Sequence, residues 1–266
     1  MSRRLAPLAE GSRRPLAAAA LASQADLNVA ATADTLLMTT LVLLPGMDGT
    51  GSLFGPLVDA LAGKLRVEVV RYPCNSPAGY SELERVAEAC LPTEGPLILL
   101  GESFSGPIAI SLAAKHAGRV AGLILCCTFV RSPYPALSKL KHLTALAPVK
   151  WVPTRLAAVM LLGRFETPKL RAALGEALAA VSANVLRSRL KAVLSVDAAS
   201  ALSRISTPIL YLLASEDRVM PASAGVAICA IQPSVRVVQI AAPHCLLQAA
   251  PTEAARAIQQ FVEAVG

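Results

Sequence analysis

Histidine is scarce in this chain, with three among 266 residues, and so are aromatic side chains (4%) and charged ones (16%). Each shortage excludes something. The segment richest in Lys and Arg carries only Tyr134, Trp151 and Phe165, widely spaced, which is too little to stack bases, so nucleic acid is not an expected partner. No uninterrupted apolar run approaches the ~20 residues of a spanning helix. The positive mean hydropathy owes much to alanine and does not predict a transmembrane segment. Six cysteines (Cys74, Cys90, Cys126, Cys127, Cys229 and Cys245) form no C-x-x-C pair and no metal-like Cys/His spacing. Neither a bound metal nor a disulfide framework is expected; reduced, mostly buried thiols favour a cytoplasmic setting. A G-x-G-x-x-G string after the first strand is also missing, since "GMDGTG" (46–51) lacks that spacing, so hydride transfer is a poor reading and no cofactor is expected.

What the chain does have is core material: 54% of it is hydrophobic, enough for one large domain. Residues 1–35 stand apart, with arginine pairs, many alanines and no strand alternation, and read as a poorly ordered N-terminal extension. A competing reading is a secretory signal, in which Arg13 and Arg14 precede the apolar stretch Pro15 to Leu21 and small residues follow at Ala25. Met38 stands directly before "TTLVLLPG", where a folded unit would begin. From 36 to 266 the pattern alternates. Strand-like runs cover 36–44, 66–72, 96–100, 120–127, 208–214 and 235–241, with helical stretches at 52–63, 80–90, 105–117, 222–231 and 252–264. Near-continuous β-rich runs separated by helices predict a mostly parallel sheet covered on both faces, an α/β three-layer class with about six strands. Between about 130 and 206 there is helical pattern and proline but no convincing strand, which predicts a helical cap insertion above the sheet.

The stretch "LILLGESFSGPIAISLAAKHAG" (97–118) runs from a strand through a small-residue corner into a helix. Ser103 sits at the corner, with Gly101 two positions before it and Ser105 and Gly106 after. A serine presented as a nucleophile needs this arrangement, because its backbone is strained and strand and helix must approach closely. Ser105 is the less suitable candidate, since Pro107 would stand where a small residue is wanted. A serine hydroxyl also needs a base, and the base an orienting group. Of the three histidines, His116 closes the helix after the corner and reads as structural, and His142 lies in the insertion and reads as solvent-facing. His244 follows the last strand in "QIAAPHCLLQAAP" and is the candidate base. The acid should follow the preceding strand, where "PILYLLASEDRVMP" supplies Asp217 beside Glu216; Asp197, at the end of the insertion, competes.

With "LVLLPGMDGTGSLFGPL", "LLGESFSGPIA", "TPILYLLASEDRVMP" and "APHCLLQAAP" in this order, residues 38–266 resemble the α/β-hydrolase superfamily of esterases and lipases. The resemblance implies Ser103 as nucleophile, Asp217 as acid, His244 as base and an oxyanion hole from two backbone amides, Phe104 and Met47. Many members carry His-Gly in the loop where this chain has Pro45 and Gly46, a departure that backbone donors tolerate. Asp48 in that loop is expected to cap the following helix. The strand pair that often precedes the first core strand has no counterpart in residues 1–35.

The insertion is the sequence's clue to the substrate. Residues 131–204 hold twelve Lys or Arg against three acids, a surplus of nine, whereas the whole chain carries +7. Two accounts compete: a solvated outer face over an apolar inner one, or a cap that attracts an anionic acyl donor or an anionic surface. Three functions therefore stand side by side: ester hydrolysis, thioester hydrolysis or acyl transfer from acyl-CoA or an acyl carrier, and a hydrolase fold used only for binding.

Overall fold

The computed structural model describes residues 39–147, 149 and 153–265. The extension expected over 1–35 lies outside the described residues. Six strands form one sheet: β1 (Thr40–Leu44), β2 (Arg66–Val69), β3 (Leu97–Glu102), β4 (Val120–Cys126), β5 (Ile209–Ala214) and β6 (Arg236–Ile240). Their order is β2-β1-β3-β4-β5-β6, and every pairing is parallel. The sheet is thus wholly rather than mostly parallel. All six expected runs become strands, with shifted ends. β2 stops at Val69 because the chain turns away from the sheet, where the Tyr72 amide donates to the Gly49 carbonyl at 2.8 Å. β3 continues through Gly101 and Glu102 up to the corner itself.

Successive side chains of a strand point to opposite faces, and the core divides accordingly. Val42, Leu44, Leu97 and Leu99 meet Leu83 of α2 (Tyr80–Ala89), Ile108 and Leu112 of α3 (Gly106–Lys115) and Ile228 of α8 (Ala222–Ile231). On the other face, Leu41, Leu43, Ile98 and Leu100 meet Leu57 of α1 (Gly55–Leu61) and Ile258 and Phe261 of α9 (Pro251–Val265). Both faces being covered explains why β1, β3 and β4 read as continuous apolar runs.

Between β4 and β5 the described residues form helices. These are a 3-10 segment (Pro135–Leu146), α4 (Thr154–Leu161), a 3-10 turn (Gly163–Phe165), α5 (Pro168–Ala180), α6 (Ala183–Val193) and α7 (Ala199–Ser203). Side-chain caps start two of them: Thr167 accepts from the Leu170 amide at 3.1 Å and Ser182 from the Val185 amide at 3.3 Å. These helices attach to the strand-end loops through Ala158, Leu162 and Leu174 packed on Cys245, and through Val181, Val185 and Leu186 packed on Met47. No helix among the described residues is long and apolar enough to cross a membrane.

Candidate active site

The corner after β3 is strained at Ser103, whose φ of +48° is in the left-handed region. Its neighbours make that conformation attainable. A Cβ on Gly101 would lie 2.7 Å from the Ser105 carbonyl oxygen, and one on Gly106 would lie 2.0 Å from Thr128 Oγ1. The Thr128 hydroxyl donates to the Ser103 carbonyl, tying the corner to the end of β4. Phe104 is held by stacking on Tyr80, with ring centroids 4.8 Å apart, and the Tyr80 hydroxyl donates to the Phe104 carbonyl at 3.0 Å.

Ser105, the alternative nucleophile, is fully buried, and its single proton goes to the Pro45 carbonyl. Tyr72 therefore donates to Ser105 Oγ, at 2.9 Å. That committed hydroxyl also explains how a serine stands where hydrolase corners usually carry a second glycine.

Around Ser103, loops from three strand ends converge. Ser103 Oγ lies 2.8 Å from His244 Nε2, and His244 Nδ1 lies 2.8 Å from Asp217 Oδ2. The other Asp217 oxygen accepts from the Val219 and Met220 amides at 2.8 and 2.7 Å. Burial works against the Asp217 charge. The hydrogen bond and charge of His244 and the two amides outweigh it and hold the carboxyl below its usual range. An ionised Asp217 accepts a hydrogen bond from Nδ1–H, which leaves the Nε2 lone pair facing Ser103 Oγ.

The remaining candidates lie elsewhere. His116 Nε2 is 2.7 Å from Glu88, which also binds Lys115 at 2.6 Å, a structural role at the end of α3. His142 is exposed. Asp197 pairs with Arg131 at 3.0 Å and accepts from the Ala199 amide at 2.9 Å. Asp48 does not cap a helix, contrary to expectation. Its carboxylate accepts from the Thr50 amide and hydroxyl at 2.9 and 2.5 Å, because the chain turns at Gly51 before helical conformation begins at Ser52.

The loop after β1 is fixed at four successive carbonyls. Pro45 O receives the Ser105 hydroxyl, and Gly46 O the Gly49 amide at 3.1 Å. Met47 O and Asp48 O both receive Arg189 Nη1, at 2.8 and 2.7 Å. Because the peptide unit is planar and trans, fixing the Gly46 carbonyl also fixes the direction of the Met47 N–H. Arg189, one of the cap's twelve basic residues, is not on its surface: its side chain is fully buried. Its Nη2 reaches Pro73 O at 3.0 Å and its guanidinium lies 5.7 Å from the Tyr72 ring centroid. Gly49, at φ +70°, leaves it room, since a Cβ there would lie 2.5 Å from Nη1. A lone Arg in a basic helix carries no sequence signal for such a role; Gly49, whose missing side chain leaves the guanidinium room, is the hint the sequence holds. Arg164 and Arg171 are also spoken for, by Glu216 at 2.5 Å and Glu166 at 2.9 Å.

Sequence reasoning also passed over Glu102, which precedes Ser103. It is buried, receives Gln248 Nε2 at 2.9 Å, and is pushed up to about 7 by burial, against the hydrogen bonds from Gln248 and the Gly46 amide.

Above Ser103 opens a cavity of about 440 Å³, within the range of small-molecule sites. Met47 and Phe104 line it beside Ser103, and Phe129, Leu137, Val193 and Met220 make it apolar. A serine, a histidine and an aspartate in one hydrogen-bonded row beside an apolar cavity form an arrangement chemically suited to acyl transfer.

The profile of the alpha/beta hydrolase family matches residues 41–257, and the chain belongs to that family. Among solved structures, an esterase from Thermogutta terrifontis superposes with a TM-score of 0.72 at 22% identity, over 86% of this chain and 90% of that one. A hydrolase from Oleispira antarctica gives 0.71 at 18% identity, over 85% and 90%. A bromoperoxidase from Bacillus anthracis gives 0.71 at 17%, over 85% and 92%, so the likeness is one of fold. Phytyl ester synthase 1 of Arabidopsis thaliana is 35% identical over 107 residues, which are 37% of this chain and 15% of that protein.

Proposed function

We propose that the chain is a serine hydrolase cleaving carboxylic esters through an acyl-enzyme on Ser103. The observation that supports this most is the continuous relay from Ser103 Oγ through His244 to Asp217, both links at 2.8 Å, at the floor of the apolar cavity. As Ser103 Oγ attacks the acyl carbon, His244 Nε2 takes its proton, and Asp217 holds the imidazole tautomer and stabilises its positive form. The oxyanion that develops on the substrate is met by the Met47 and Phe104 amides, each worth on the order of 3 kcal/mol in comparable sites. His244 then protonates the departing alkoxide, and water activated by the same imidazole releases the acid. A fluorophosphonate is expected to label the protein once, at Ser103. Labelling is expected to vanish in Ser103→Ala, slow by orders of magnitude in Asp217→Asn, and persist in Ser105→Ala. Labelling that survives Ser103→Ala would contradict the assignment.

A second reading is transfer of the same acyl group to an alcohol instead of water, favoured by the partial likeness to a protein named as an ester synthase. The two readings share every step up to the acyl-enzyme. Exposed cap residues such as Lys139, Lys169 and Lys191 would favour an anionic thioester donor.

A further inference from the structure

Among the described residues eight large apolar side chains are exposed, and six of them fall within residues 134–160 of the cap. Three of these, Tyr134 and, in the 3-10 segment that follows it, Leu137 and Leu143, also line the Ser103 cavity, so the cavity reaches the surface beside them. The other three, Leu156, Val159 and Met160, recur at i, i+3 and i+4 and share one face of α4. Ala158 and Leu162 pack on Cys245 from the opposite side, so this row is turned away from the core. Both groups border one loop. The Tyr134 hydroxyl donates to the Val219 carbonyl, and Arg218 Nη1 lies 3.5 Å from the Val159 carbonyl. The charge around this apolar face has one sign. Residues 131–165 carry six Lys or Arg and no Asp or Glu. Carboxylates from outside that segment reach two of them, Asp197 pairing with Arg131 and Glu216 with Arg164. Lys139 and Arg155 are exposed and have no carboxylate partner among the described residues.

We propose that this face of the cap docks on an anionic lipid bilayer, with the mouth of the Ser103 cavity turned toward the lipid. An exposed apolar face flanked by unpaired cations and free of acids matches both layers of such a surface, the acyl chains through its leucines and the headgroup phosphates through Lys139 and Arg155. The aliphatic stems of Lys139 and Arg155 can follow the apolar face while their charges reach the headgroups. A second copy of this chain is a poorer occupant, because a two-fold contact through the same face sets like charges against each other. Docking in this orientation lets an acyl chain pass from the bilayer into the cavity without crossing water. That consequence rests on the acyl-enzyme reading above; the docking itself does not.

The test is sedimentation of the full chain with vesicles of phosphatidylcholine alone and of phosphatidylcholine mixed with phosphatidylglycerol. Strong binding is expected to the mixed vesicles only, and it is expected to fall as salt rises from about 0.1 to 1 M. Lys139→Gln with Arg155→Gln is expected to weaken it about 25-fold, roughly fivefold for each charge. Leu156→Ser with Val159→Ser is expected to weaken it on the order of tenfold. Lys64→Gln, which removes an exposed charge ahead of β2 at the amino edge of the sheet, is expected to change it less than twofold. Turnover of a short water-soluble ester is expected to persist in the Lys139 and Arg155 variant, which separates lost docking from a misfolded cap. Ser103→Ala is expected to bind vesicles as the parent does, so failure of the docking and failure of the acyl-enzyme reading are told apart. Equal binding to both vesicle types, binding to neither, or binding that the cap substitutions leave unchanged because residues 1–38 carry it would overturn the proposal. Light scattering without lipid is expected to give the mass of one chain; a dimer that Leu156→Ser with Val159→Ser dissociates would assign the face to a second copy instead.

Discussion

The loops at the carboxyl edge of the sheet and the cap above them position their side chains by different physics. In the loops each group is set by a short local device. Ser103 is placed by one positive φ between small neighbours, and Asp217 by two amides within three residues of it. In the cap the decisive contact is long-range: Arg189 reaches carbonyls 142, 141 and 116 residues away in sequence. Local devices can be replaced one at a time with local consequences. A buried guanidinium that replaces its hydration with three carbonyls ties distant segments together, so its loss is felt in all of them. The cap is therefore a support for the loop after β1 as much as a cover over Ser103.

The sharpest way to break this contrast is to compare two arginines two residues apart. Arg189→Met leaves three carbonyls without a donor, each costing about 1–3 kcal/mol. It is expected to lower kcat for a short ester on the order of 10²-fold, as when an oxyanion donor is lost, with KM little changed and the melting temperature lowered by about ten degrees or more. Arg187 binds one carbonyl, Ala147 O, from a half-exposed position, and Arg187→Met is expected to change kcat less than twofold. Equal effects of the two substitutions would mean that the cap acts through its charge and not through the Arg189 contacts.

A smaller effect is expected at Glu102, the last residue of β3, which carries a long-range contact of its own with Gln248. Its folded value of about 7 lies above the usual 4.5 because burial disfavours the charged form. The native state therefore holds the extra proton between those two pH values, and stability is fully present below about 4.5 and declines as pH rises toward 7. The full cost, about 3 kcal/mol, applies above that. Glu102→Gln stays neutral throughout, so its melting temperature is expected to exceed the parent's by several degrees at pH 8 and to match it at pH 4.5. A constant difference across that range would show that Glu102 does not titrate there.

The same contrast explains what could be read from the sequence. Six strands and the helices between them were legible because a doubly covered parallel sheet leaves continuous apolar runs. The order Ser103, Asp217, His244 was legible because each residue follows a strand at the sheet's carboxyl edge, and the corner's small residues mark its strain. Arg189 was not, because the acceptors that explain it are backbone carbonyls with no side-chain signature. It stood in the sequence as one of twelve basic cap residues, and any steering role for the cap now rests on the others. Asp48 was misassigned for a related reason: an Asp before a helix and an Asp closing a turn at Thr50 look alike until Gly51 is seen to turn the chain first.

The central claim is an acyl-enzyme on Ser103. Rapid mixing with an aryl ester, acid quenching and intact-protein mass spectrometry test it directly. The account predicts one acyl adduct per chain, carried by the peptide that contains Ser103 and formed at the rate of the initial burst of aryl alcohol. Steady turnover without an adduct, or an adduct on any other residue, would contradict it.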